Sequence, residues 1–414
     1  MTEELDTRVR HAATRRGHPL VKAIAWLFAG AAGFGLVFVQ TYKAQLDAAL
    51  VTNDITTLLG PDRPAAPQAP TDGSSGLPVN IALIGVDDRS GENGVIGGQE
   101  DGMRSDTTLI MHISADRSRI DLVSIPRDTV VQLADCERSD GTSQRGWTDR
   151  FNVAFANGVA NGSVADGAAC TIKTIESLTG IYIDHFAVID FVGFRDMVAA
   201  VDGVPMCIPT AVQDDLSGTS LTAGPQVLNG TQAIAYARMR HGNGLSGSDL
   251  DRIDRQQQLL KNLASKVLSA EMLYRPQDVT NFVKAVAGSL RMDDAFGNVD
   301  TLTGLAFSLR GLDPSTDFTF ATAPVMADPA NPKVTVVFTN KASQVWQALI
   351  ADQPIAPLLD DQSASPSNAT STDLGTTGTG TTGTGTADSG TTTPSDSGID
   401  PNSQEGILAA CAAS

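Results

Sequence analysis

Seventeen uncharged residues, Ala23 to Val39, divide this chain into two unequal parts. At about 1.5 Å per residue the run gives roughly 26 Å of helix, so Leu20, Val21 and a snorkelling Lys22 are needed to complete a bilayer span. Arg8, Arg10, Arg15, Arg16 and Lys22 precede it, and a positive flank stays in the cytoplasm. Between Gln40 and Leu50 there is no clear small-x-small cleavage pattern. A retained signal anchor over residues 23–42, behind a basic cytoplasmic segment over 1–22, is therefore expected rather than a cleaved signal peptide. Everything after Tyr42 is then extracytoplasmic.

Residues 43–77 are expected to form a linker, because they pass into the proline-rich stretch Pro61-Asp62-Arg63-Pro64-Ala65-Ala66-Pro67. The folded domain is placed at 78–355. Asn80 to Gly85, Thr107 to Ile113 and Ile120 to Ile125 are short apolar runs with strand character, and His185 to Asp190 is another. Helices are expected over Gly167–Leu178, closed by Gly180, over Phe191–Val201, and over Asn229–Ala237, Asp254–Leu268, Asp278–Leu290 and Ala342–Ile350. Further strands fall near Phe318–Ala321 and Val334–Phe338. Strands alternating with helices mean an α/β fold, a sheet covered by helices on both faces. Residues 356–414 hold no Lys or Arg, and 362–403 are dominated by Ser, Thr, Gly and Asp, a composition that predicts a disordered tail.

The chain has four cysteines, Cys136, Cys170, Cys207 and Cys411, with no CxxC pair to suggest zinc. Four thiols allow three full pairings. Cys136 with Cys170 is preferred, because both flank one expected insertion, and Cys207 with Cys411 stays open.

The formal net charge is −18, which argues against nucleic acid as a partner. Within that acidic chain the cations cluster: Ser124-Ile125-Pro126-Arg127-Asp128, Arg238-Met239-Arg240, and Arg252 with Arg255. Planar, always-charged guanidiniums fit the oxygens of a pyrophosphate. If Arg238 and Arg240 lie in extended chain, both point the same way and fork onto one ligand. Taken alone, they fit equally a solvated pair at a helix end. Arg252 and Gln256 are four apart and share a helix face near an N-terminus, which favours anions. The plainer reading there is a surface helix start capped by Asp249, with Asp251 and Arg255 as an ion pair. Asp87 and Asp106 sit at expected strand edges, where two carboxylates suit Mg²⁺ (or Mn²⁺) and leave ligand positions for phosphate, although bare aspartates more often form loops. Arg127 follows the fixed turn of Pro126 at a strand end, unless it only pairs with Asp128. No GxSxG, GxxxxGK[ST] or HExxH pattern occurs, and the five histidines share no spacing.

Taken in order, GVDDR, RSDTTLIM, SIPRD, RFNVAF, LNGTQAIAYARMRH and DLDRIDRQQ resemble the LytR-CpsA-Psr family, actinobacterial in type, over roughly Asn80 to Leu268. The resemblance implies a three-layer α/β/α sandwich with a central mixed sheet and an apolar lipid tunnel. It also implies a membrane-anchored, wall-facing enzyme that moves a glycan from a polyprenyl-pyrophosphate carrier to a peptidoglycan hydroxyl, with pyrophosphatase side activity. On that mapping Asp87 and Asp106 position Mg²⁺, and Arg89, Arg127, Arg150, Arg238, Arg240, Arg252 and Gln256 hold the phosphates. Arg127, Arg238 and Arg240 are also expected in the chemistry, with Asp249 as a candidate base. Arg150 stands where the family often has Lys, and Asp202-Gly203 where it commonly has Gly-Gly. Arabinogalactan is the glycan the actinobacterial likeness suggests. The alternatives are a membrane-tethered polyprenyl-phosphate-binding or regulatory protein without turnover and, less well supported, a transcription regulator.

Overall fold

Short β-branched and aliphatic runs, buried on both faces, build the sheet at the centre of the computed structural model. It describes residues 50–67, 76–88, 103–208, 210–214, 219–239, 249–268 and 288–360, with positions 40, 41, 43, 44, 93, 282 and 411. Seven strands form the central sheet: β1 (Val51–Thr52), β2 (Val79–Asp87), β3 (Arg104–Ile113), β4 (Ile120–Ser124), β5 (His185–Ile189), β6 (Leu290–Met292) and β7 (Phe318–Thr322). Their spatial order is β1-β6-β5-β2-β3-β4-β7. β2 runs parallel to β5 and antiparallel to β3, and β4 runs parallel to β7, so the sheet is mixed.

The helices that matter are α1 (Val153–Gly158), α2 (Val164–Thr179), α3 (Phe191–Ala200), α4 (Gly230–Arg238), α5 (Asp249–Val267), α6 (Val299–Leu309) and α7 (Asn340–Ile350). Strand alternation sends side chains to two faces. Ala82, Ile84, Ile110 and Val123 pack in one core with Phe155 of α1, Ile172 and Ile175 of α2, and Val345 and Trp346 of α7. Ile81, Leu109, Ile113 and Leu122 pack in another, with Leu260 of α5 and Leu302 and Leu305 of α6 against it. Helices thus contribute to the cores on both faces. A third core joins α3, α4 and α5 to the hairpin of Val204–Ile208 and Gly224–Leu228.

Caps mark the helix ends the sequence signals. Ser163 accepts from the Asp166 N–H at the start of α2, and Gly180, at φ 72°, closes it. Asn229 and Gln232 form a reciprocal capping box on α4. Asp202 and Gly203 both have positive φ, 58° and 93°, so the turn where the family commonly has Gly-Gly keeps a left-handed backbone with an aspartate in it.

The linker expected over 43–77 is corrected for residues 50–67. Val51 pairs with Arg291 across the sheet edge, and Ile55 and Leu59 are buried. The Arg63 guanidinium donates to the buried Glu176 carboxylate and to the Tyr182 hydroxyl, and stacks 4.0 Å from the Tyr182 ring centre. Proline content suggested a spacer, but two apolar side chains four apart and one arginine find partners in the domain. Leu290, expected at a helix end, belongs to β6 because it pairs with Ile189. Most of the helix expected over 278–290 lies outside the described residues, as do nearly all of the anchor at 23–42 and, beyond 360, nearly all of the tail expected over 356–414. The start of that tail is corrected: Ala356–Asp360 is helical, and Leu358 and Leu359 pack against the core. Among the described residues no helix is long and apolar enough to cross a membrane. Cys136 is bonded to Cys170 and Cys207 to Cys411, with Cα–Cα distances of 5.2 and 5.7 Å.

Candidate functional site

The site begins with an irregularity in one strand pair. β2 and β3 keep register from Val79↔Ile113 to Gly85↔Thr107, and then Val86 pairs with Ser105, leaving Asp106 as the extra residue. Strict alternation would put Asp106 on the face of Thr108 and Ile110, against α1 and α2. A bulge re-aims the side chain. Asp106 instead joins Asp87 and Thr107 in lining a cavity of about 570 Å³ between the other sheet face and helices α3, α4 and α5.

The mouth of this cavity is charged. Arg127, just beyond β4, donates from Nη1 to Asp106 Oδ1 at 2.6 Å and from Nε to Asp128 Oδ2 at 3.3 Å. Asp128 Oδ1 accepts in turn from Arg150 Nη1 at 3.4 Å, so the four side chains form a continuous row of alternating charge. Arg252 is only 2% exposed, and its Nη2 lies 3.4 Å from the Asp106 carbonyl oxygen. Arg238 is the last residue of α4, and its guanidinium sits 4.5 Å over the Phe191 ring, a cation–π contact that holds the charge at the cavity wall. Gln256 accepts from the Thr107 hydroxyl at 2.9 Å and donates to the Ala237 carbonyl at 3.1 Å, bracing β3 to α4.

Behind the mouth the lining is apolar. Leu83, Leu109, Ile189, Phe194, Met197, Ile234, Leu259 and Leu290 surround the space, drawn from four strands and three helices. A ligand with an anionic head and a hydrocarbon body matches both halves at once.

Of the residues singled out in the sequence, Asp87, Asp106, Arg127, Arg238, Arg252 and Gln256 line this one cavity. Arg150 is not in the lining; it bonds Asp128, which in turn bonds the lining residue Arg127. Asp249 opens α5, its side chain outside the described residues, as are Arg89 and Arg240 altogether. The extended reading of the Arg238 segment is corrected: Arg238 closes a helix, and only at Met239, with φ −51° and ψ 129°, does the backbone leave it. Phe191, Thr107 and Asp190 were not anticipated. Asp190 carried a local signal, since an Asp before an apolar run caps a helix, and it accepts from the Gly193 N–H at 2.8 Å. Phe191 and Thr107 carried none, because their partners lie far along the chain.

Two carboxylates at one cavity fit a hard divalent cation. Among the described residues no group of three or more His, Cys, Asp or Glu is placed to hold a metal ion. A metal here would rest on Asp87 and Asp106 and take its remaining ligands from phosphate and water, which is how Mg²⁺ usually binds.

Residues 46–322 match the sequence model of the LytR_cpsA_psr family. The chain is 31% identical over 309 residues to the cell wall biosynthesis protein LcpA of Corynebacterium glutamicum, covering 69% of this chain and 58% of that one. It is 28% identical over 222 residues to the polyisoprenyl-teichoic acid-peptidoglycan teichoic acid transferase TagU of Bacillus subtilis, covering 54% and 62% respectively. It thus spans less than two thirds of the length of these curated relatives. Among solved structures, the LytR-Csp2A-Psr enzyme from Actinomyces oris shares 17% identity at a TM-score of 0.53, covering 72% of this chain and 95% of that one. TagV of Bacillus subtilis shares 24% at 0.50, covering 67% and 98%. These two likenesses establish a common fold.

Proposed function

The chain belongs to the LytR-CpsA-Psr family, and on that footing we propose that it moves a glycan from a polyprenyl-pyrophosphate carrier to a peptidoglycan hydroxyl. The observation that carries this reading is the single cavity that sets arginines and carboxylates at the mouth of an apolar interior. A pyrophosphate needs the first and a prenyl chain the second. The relative TagU is named for the same type of reaction, transfer from a polyisoprenyl carrier to peptidoglycan.

In this reaction the acceptor oxygen forms a bond to the glycan-side phosphorus, the bridging P–O bond breaks, and polyprenyl phosphate leaves. The product is a phosphodiester, and the hydroxyl proton goes to a base, for which Asp249 is the candidate. No covalent enzyme intermediate is required, so positioning and charge neutralisation supply the catalysis. Arg127, Arg238 and Arg252 line the pyrophosphate end, Gln256 braces it, and Arg89, Arg150 and Arg240 are proposed to complete its cationic surroundings. Mg²⁺ (or Mn²⁺), held by Asp87 and Asp106, would offset phosphate charge when bound. Leu83, Phe194 and Leu259 exclude water from the prenyl chain. Water in place of the sugar hydroxyl gives a pyrophosphatase side reaction.

We place the protein in the cell membrane through residues 23–42, its domain facing the wall, and take arabinogalactan as the glycan on its actinobacterial likeness. The test is Mg²⁺-dependent phosphate release from geranyl pyrophosphate by the full chain, followed by transfer of a lipid-linked glycan to peptidoglycan. Metal-dependent turnover supports the enzyme. Binding without turnover, with or without acceptor, replaces it with a lipid-binding or regulatory role.

A further inference from the structure

Four polar side chains near the start of α5 reach other elements, and they divide into two kinds. Arg252 and Gln256 line the cavity, whereas Arg255 and Gln257 do not. At about 100° per residue, Arg255 and Gln257 fall roughly 80° and 120° to either side of the face that Arg252 and Gln256 share. Each reaches sideways into another element.

On one flank, Arg255 Nη2 donates to the Met239 carbonyl. Gln256 Nε2 donates to the Ala237 carbonyl at 3.1 Å. These two acceptors bracket Arg238 at the C-terminal end of α4, where the final carbonyls have no donors within their own helix. Met239 is fully buried, and its N–H already bonds to the Ala235 carbonyl at 2.9 Å. On the other flank, Gln257 Nε2 donates to the Ser124 hydroxyl at 3.1 Å and the Thr322 hydroxyl at 3.2 Å, tying α5 to β4 and β7. The helix is pinned to the sheet on one side and grips the backbone around Arg238 on the other.

We propose that Arg255 is a positioning residue for the anion-binding Arg238: through the Met239 carbonyl it holds the end of α4 so that the Arg238 guanidinium stays stacked on Phe191 and turned toward the pyrophosphate. This rests on the pyrophosphate reading above. Arg238 needs such a support because a helix end frays and a long side chain loses rotamer freedom when it binds, so a fixed backbone lowers the cost of each binding event.

The experiment is a mutant cycle on the full chain in detergent, reading the dissociation constant for geranyl pyrophosphate beside the melting temperature. Arg255→Met is expected to weaken binding on the order of tenfold, the worth of one charge-assisted hydrogen bond, and Arg255→Lys to restore most of it. In an Arg238→Ala background, Arg255→Met should add almost nothing, since residues acting through one another are not additive. An equal further loss in that background overturns the inference, as does unchanged binding by Arg255→Met while Arg238→Ala loses affinity. Should Arg255→Met not fold, Arg255→Gln against Arg255→Lys makes the same comparison. If the wild-type chain itself binds no geranyl pyrophosphate, the pyrophosphate reading fails first and takes this inference with it.

Discussion

The strands β2, β3 and β4 carry charged clusters at both of their ends, and only one of the two is built like a binding site. At the closed end, Asn80, His112 and Asp121 stand on adjacent strands. His112 Nδ1 meets Asn80 Oδ1 at 2.7 Å and its Nε2 meets Asp352 Oδ1 at 3.0 Å, while Arg119 bonds both Asp121 and Asp352. His112 and Asp121 are fully buried, and burial pushes the His112 imidazole below its ordinary range against the pull of Asp352. At the open end, Asp87, Asp106 and Arg127 face a cavity and are joined there by Arg238 and Arg252. Both ends hold paired charges; what differs is empty space beside the charge. Parity along the strand separates them. Asn80 and His112 fall on the face packed by α1, α2 and α7, whereas Asp87 falls on the cavity face and the bulge moves Asp106 to join it.

This contrast can be broken in order of expected effect. Replacing both Arg238 and Arg240 by Ala should cut phosphate release by about a thousandfold, as loss of preorganised charge does in such sites, with a melting temperature near that of the wild type. A loss of fold in parallel with activity would make the open end structural too. Asp121→Ala at the closed end should do the reverse. Removing one member of a buried ion pair costs about 3 kcal/mol, or roughly 6–12 °C in melting temperature for a domain of this size, with turnover per folded molecule unchanged. Met197→Trp, which fills the apolar half of the cavity, should weaken geranyl pyrophosphate by about tenfold and leave inorganic pyrophosphate alone, because only the hydrocarbon needs that volume. Equal loss for both ligands would place the hydrocarbon elsewhere.

The smallest effect belongs to Asp116, in the turn between β3 and β4. Hydrogen bonds from the Ser118 and Ser114 hydroxyls and the Ser118 N–H hold its carboxyl down at about 2, against 3.8 ordinarily. A lowered carboxylate contributes stability that is fully present above the ordinary value and lost as pH falls through the folded one. Thermal melts of wild type and Asp116→Ala should therefore differ slightly at neutral pH and converge between about 4 and 2. A gap that persists at pH 2 would point to turn geometry and not charge.

Local pattern made much of this legible. Gly180 closing α2, Asn229 before α4 and the short apolar runs of β2, β3 and β5 are all events within a few residues, governed by capping and by strand propensity. The two-residue strand at Val51, by contrast, had no pattern of its own and exists because β6 offers it an edge. For the site, residue type and order pointed to Asp87, Asp106, Arg127, Arg238, Arg252 and Gln256, and the family likeness supplied their grouping. Nothing local anticipated that Arg150 would stand outside the cavity, joined to Arg127 by way of Asp128.

The amino-acid sequence by itself determined the alternation of strands and helices, the helix caps, the chemical kinds gathered for phosphate, and the family. Only the tertiary structure decided which face Asp106 occupies, that Phe191 lies under Arg238, that the spacer at 50–67 folds onto the domain, and that Cys207 bonds to Cys411. The reason is physical. Period and propensity act over a few residues, whereas strand register and cavity walls are fixed by pairing with chain far away, and a one-residue shift in that pairing turns a side chain from a buried core to an open site.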